Sequence, residues 1–202
     1  MWNDTVIESV RNAVADTLDL GELGRFDRST PPAQAAAIDA VIRKIKYMSI
    51  PDRMVVAQRI AGAARVEPSN SLMMTSNQVK AMRQAGMQIG AHTLSHPILA
   101  RLGDDEARAE IVGSKEFLEH LLGEDVSLFA YPNGKPGQDY LPQHVAMVQQ
   151  TGFDAAVSTA PGVSSSASDY FQLPRFTPWD RSRLRFGIRL LFNQRHIAIR
   201  GE

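Results

Sequence analysis

At 202 residues, the chain has room for about one ordinary domain, or one domain with an appendage. Its 44% apolar content is enough to build a core, and Lys plus Arg equal Asp plus Glu at 22 each, which argues against disorder and against a dedicated nucleic-acid binder. There is no cysteine, so disulfides, thiolate zinc sites and cysteine nucleophiles are excluded, and any metal must be held by nitrogen and oxygen ligands.

The chain starts with MWNDTVIESVRNAV, which has acidic residues and lacks the apolar stretch of a secretory signal. No run of about 18 apolar residues follows anywhere, so the expectation is a cytoplasmic protein without a membrane span. Residues 1 to 86 read as helical throughout. Thr5 to Asp16 is amphipathic, and LGELGRFDRSTPP is a connection marked by glycine and proline. PPAQAAAIDAVIRKIKYM predicts a helix with Ala37, Val41, Ile45 and Met48 on its inner face. A third helix spans SIPDRMVVAQRIAGAARV, and a fourth runs from a Thr75 or Ser76 cap to Gly86.

After Gly86 the period changes. MQIGAH reads as a strand, and LGDDEARAEIVGSKEFLEHLLGED as a helix whose acidic start favours the helix dipole and whose stop is Gly123. VSLFAYPNG is a strand ending in a turn, DYLPQHVAMVQQTG a helix and FDAAVST a strand. APGVSSSASD is a loop, YFQLPRF a last strand and Arg181 to Gln194 a last helix. This alternation predicts parallel strands with helices packed outside them. Working residues in such folds gather at the C-terminal ends of the strands.

His92 stands at one of those ends and His96 lies one helical turn further on, so both imidazoles can face one side. On spacing alone a pair His-x-x-x-His arises by chance more often than by function. The residues around the pair narrow the choice. AHTLSHPILARL resembles the H-[ST]-x-x-H-P motif of the polysaccharide deacetylases, the family of the nodulation-type chitooligosaccharide deacetylases. FAYPNG, residues 129 to 134, resembles their next motif. The resemblance covers roughly residues 75 to 178. It implies an α/β fold, a partial, distorted (β/α) barrel over residues 75–202, with residues 1–74 as a helical, insertion-like segment.

The resemblance also implies a metal-dependent hydrolase that removes N-acetyl groups from an amino-sugar polysaccharide or oligosaccharide. It implies a divalent metal, with zinc the expectation, held by His92 and His96. Tyr131 matches the residue whose backbone N–H would face the oxyanion, Pro132 is its neighbour, and Arg175 stands where a charged group would reach the site. The family's Asp-Asp pair ahead of the histidine motif has no counterpart here, since no such pair precedes His92. The third metal ligand and the base are therefore not found in the sequence, with Asp180 or a second copy of the chain as substitutes. The other reading is a catalytically inactive, truncated module that binds glycan or a protein partner and, with an open sheet edge, self-associates.

Other conspicuous residues have plainer readings. Asp104 and Asp105 belong to a helix cap and first turn, His120 and His144 to packing or surface, and Ser164 to Ser166 to a loop. His196 is too near the C-terminus to be assigned a role, whereas Trp179 offers an aromatic face to a sugar. Seven arginines from Arg175 to Arg200 interleave with apolar residues. They predict a packed terminal helix with a charged outer face, the other reading being a helix lying on an anionic membrane.

Overall fold

The structure is a computed structural model that describes residues 1–67, 69, 72–176 and 180–194. The chain divides into two compact units, Met1–Thr75 and Ser76–Glu202.

In the first unit, helices α1 (Trp2–Asn12), α2 (Pro31–Ile45) and α3 (Ile50–Ala64) enclose an aliphatic core of Val6, Val10, Val41, Ile45 and Ile60. Prolines in the first turns of α2 and α3 occupy positions whose N–H has no intrahelical acceptor. Thr30 and Ser49 cap these helices by accepting from Ala33 N at 3.2 Å and Asp52 N at 3.2 Å. The stretch read as a mere connection instead forms an antiparallel hairpin, β1 (Thr17–Asp19) with β2 (Arg25–Asp27). Its strands are only three residues long, too short for an alternating pattern to stand out beside the glycines. Just beyond β2, the buried Arg28 donates to the carbonyls of Val10, Arg11 and Ala15, satisfying backbone groups at and beyond the end of α1.

The second unit opens with α4 (Ser76–Gln84), which ends before Gly86 in a left-handed conformation. Helices α5 (Asp104–Leu122) and α6 (Pro142–Gln150) follow, with Asp104 and Asp105 in the first turn of α5 as expected. Strands β3 (Leu128–Ala130) and β4 (Ala155–Val157) pair in parallel. The segments MQIGAH and YFQLPRF, expected as strands, join only through single parallel bridges, Ala91 to Phe129 and Val157 to Leu173. The order across the sheet is thus Ala91, β3, β4, Leu173, each parallel to its neighbour and in chain order. Sequential parallel order is what βα units produce. One face carries an aromatic core in which Phe129 lies 5.3 Å from Tyr131 and 5.2 Å from Phe153, ring centre to ring centre.

The last helix, α7 (Arg183–Asn193), differs from its expectation. Its outer face is apolar rather than charged, because Asn193 is the residue turned inward, donating to and accepting from the backbone of Gly162 at 2.8 Å each way. No described helix is long and apolar enough to cross a membrane.

Candidate functional site

The C-terminal edge of the parallel sheet gathers three short segments: His92 after the Ala91 bridge, Tyr131 to Gly134 after β3, and Arg175 beyond the Leu173 bridge. His92 and His96 lie on one loop with ring centres 4.8 Å apart and planes at 77°, edge to face. Two imidazoles this close can converge on a single ion.

The backbone fixes which nitrogen of His92 is available. Its Nδ1 lies 2.7 Å from the carbonyl of Ala130, the last residue of β3. A carbonyl only accepts, so Nδ1 carries the proton, and Nε2 keeps its lone pair when the ring is neutral. Metal-binding histidines are oriented in this way by their other nitrogen. Burial holds the His92 pKa below the ordinary value of 6.5, the Ala130 bond opposes that, and the charge of Arg175 lowers it further. The ring is therefore kept neutral, the form a metal requires. The influence of Arg175 also places its exposed guanidinium within electrostatic reach of the ring.

The loop between the two histidines is held in a costly conformation. Thr93 and His96 have φ of 62° and 56°, the left-handed region that side chains with a Cβ seldom adopt. Glu110, from the middle of α5, clamps this loop. Its Oε2 accepts from Leu94 N at 2.8 Å and Ser95 N at 2.9 Å, and its Oε1 accepts from Ser95 Oγ at 2.5 Å. Bonds to an ionised carboxylate are the stronger kind, and three of them offset the backbone strain. Glu110 carries no local sequence signal of this role. Its partners lie 15 and 16 residues upstream, and on α5 it reads as one polar residue among several.

Tyr131 does not have the role expected of it. Its N–H donates to Val157 O at 3.1 Å, which extends the β3–β4 pairing by one residue. The phenol is buried, stacks on Tyr140 with ring centres 3.9 Å apart and donates to Phe171 O at 3.0 Å; burial, before any other cause, raises its pKa. Tyr131 is a core residue. Pro132 is buried, and its carbonyl accepts from Gly134 N at 2.7 Å, closing the turn.

Between them, Asn133 takes φ of 60°, and its N–H meets no acceptor among the described residues. Gly134 is required beside it. With φ of 75°, a Cβ there would lie 2.9 Å from Thr159 N. The free donor on this turn is thus Asn133, two residues beyond the expected one. Pro-Asn-Gly was its available signal, since asparagine tolerates the left-handed region better than most residues.

The remaining candidates stand apart from this edge. His144 is buried, its Nδ1 accepting from Leu141 N at 2.9 Å, and His120 is exposed on α5. Asp180 pairs with Arg189 at 2.8 Å. Trp179 and His196 fall outside the described residues. Among the described residues, no third His, Asp or Glu joins the histidine pair as a metal-holding group. A cleft of about 260 Å³ lies in the first unit, between the turn at Asp19 to Leu23 and α3, and no histidine lines it.

The chain is similar to several known deacetylases. YxkH of Bacillus subtilis, a protein assigned to the polysaccharide deacetylases, is 28% identical over 102 residues, which cover 50% of this chain and 35% of that protein. A peptidoglycan-N-acetylglucosamine deacetylase of Bacillus cereus is 39% identical over 59 residues, 29% of this chain and 22% of that protein. The chain thus spans about a third or less of the length of these relatives. Among solved structures, the Streptococcus pyogenes deacetylase PplD in complex with acetate is similar with a TM-score of 0.50 and 25% identity, over 60% of this chain and 57% of that one. The model of the polysaccharide deacetylase family matches residues 53–156, slightly more than half of the chain and beginning inside α3. The chain belongs to the polysaccharide deacetylase family.

Proposed function

We propose that this chain is a metal-dependent hydrolase that removes N-acetyl groups from an amino-sugar polysaccharide, with His92 and His96 as its histidine ligands. The observation that carries this reading is the His92–Ala130 hydrogen bond, which leaves Nε2 of a neutral ring unprotonated beside a second imidazole 4.8 Å away. Nitrogen donors of this kind suit zinc, which fits the pair as two of its usual four ligands. A divalent ion held there would act as a Lewis acid toward an acetyl carbonyl.

The chain's own groups have separate tasks. Glu110 keeps the two imidazoles convergent. The Asn133 N–H is the donor available to an oxygen on which negative charge develops. Arg175 adds to the burial that keeps His92 neutral and brings a positive charge to the rim of the site. The parallel order from Ala91 to Leu173 supports a partial barrel of the deacetylase type, with the working groups at its C-terminal edge.

A second reading, a glycan-binding module without catalysis, draws support from one observation: no third ligand accompanies the histidines among the described residues. Acetate release separates the two. The chain, loaded with zinc and given an N-acetylated chitooligosaccharide or peptidoglycan, should liberate acetate, and a His92→Ala, His96→Ala variant should not. Glycan retention by the zinc-loaded chain without acetate release would overturn the enzymatic reading in favour of the second.

A further inference from the structure

The outer face of α7 inverts the usual logic of a packed amphipathic helix. Leu184, Ile188 and Leu191, at i, i+4 and i+7, form one stripe with Phe192 at its border. They are 74%, 44%, 66% and 54% exposed. The opposite side is the one tied to the protein. Asn193 is locked to Gly162, Arg189 pairs with Asp180, and Phe186 meets Phe176 with ring centres 5.7 Å apart. The polar anchor points inward and the aliphatic stripe points out.

Arginines flank that stripe. Arg183 and Arg185 project about 100° to either side of Leu184, and Arg181 precedes them by half a turn. All three are exposed, and no acidic residue occurs between Arg181 and Asn193. An apolar stripe edged by cations, with no anion beside it, is the composition of a helix that lies in a lipid headgroup layer. We infer that α7 docks the second unit onto an anionic membrane surface, inserting Leu184, Ile188 and Leu191 while Arg181, Arg183 and Arg185 meet lipid phosphates.

Charge favours this occupant over a second copy packed in parallel. Two identical faces paired in parallel about a twofold axis would bring the arginines of both first turns together, and like charges across an interface oppose association. A phosphate layer neutralises the same charges, and the long arginine side chains can lie along the apolar surface while their heads stay at phosphate level. The inference does not depend on the proposed catalysis, since none of these residues belongs to the histidine site.

Vesicle flotation tests it. The chain should float with vesicles of mixed phosphatidylcholine and phosphatidylglycerol, and on the order of 100-fold more weakly with phosphatidylcholine alone, given three arginines at the surface. Arg183→Gln, Arg185→Gln should remove most of that preference, and Leu184→Ser, Leu191→Ser should abolish binding to both. All four positions are exposed, so circular dichroism and the melting temperature should stay unchanged in both variants. Absence of flotation in the unaltered chain would overturn the inference. So would variants that float as well as the parent, or concentration-dependent dimers that the Leu184→Ser, Leu191→Ser variant loses, which would assign the stripe to a second copy.

Discussion

The loop at His92 and the first turn of α6 each enclose an imidazole, and the backbone uses the two rings in opposite ways. At His92 a carbonyl faces Nδ1, so that nitrogen is protonated and Nε2 is left as a donor of its lone pair. At His144 a backbone N–H faces Nδ1, so that nitrogen is the acceptor and any proton of the neutral ring sits on Nε2. The first ring presents the unprotonated nitrogen that the proposed metal site requires, whereas the second is spent on capping a helix. Burial lowers the pKa of both, so titration alone would not tell them apart. The hydrogen-bond partner does.

The largest expected effect comes from removing the His92 ring and its neighbour. A His92→Ala, His96→Ala variant should bind zinc at least about 100-fold more weakly in calorimetric titration of chelator-stripped protein, since both nitrogen donors disappear. Next comes the clamp. Glu110→Ala should weaken zinc binding about tenfold, the scale found when outer partners of metal ligands are lost. Glu110→Gln should recover part of this, because its amide oxygen still accepts an N–H.

His144→Ala separates the two rings from the other side. It should cost about 2 kcal/mol of stability in denaturant unfolding, through a lost cap and a cavity, and leave zinc affinity unchanged.

The smallest effects concern pH. Because folding lowers the pKa of His92 and His144 below 6.5, the unfolded chain takes up protons first on acidification. Stability is therefore fully present above 6.5 and declines as pH falls through that value toward the folded pKa values, which melting curves at a series of pH values would record. Arg175→Ala removes one of the influences that keep His92 neutral. Its zinc binding should accordingly fail at a higher pH than that of the parent, by less than the change burial itself imposes.

Much of the second unit was legible from the sequence because its signals are local. Gly123 ends α5 in the left-handed region, and the acidic triplet from Asp104 lies in its first turn. The histidine motif stood out through the residues around the pair, and its place beside a parallel bridge follows from the alternation of strands and helices. What stayed hidden depended on distant contacts. Glu110 reaches a loop more than a dozen residues away, and whether an N–H is free or paired, as at Asn133 and Tyr131, is decided by a neighbouring strand. The hairpin at β1 and β2 was missed because three-residue strands leave too short a pattern to read. For α7, periodicity located the amphipathic face but carried no information on which side would be anchored. A single asparagine and its glycine partner settle that.

The account turns on which nitrogen of His92 is free, and long-range proton–nitrogen NMR of the imidazoles reads this directly. In metal-free protein at neutral pH, His92 should show a protonated Nδ1 and an unprotonated Nε2, and His144 the reverse. Added zinc should shift the Nε2 signal of His92 and a ring nitrogen of His96 while leaving His144 unmoved. A His92 ring protonated at Nε2, or zinc that moves neither His92 nor His96, would contradict the account.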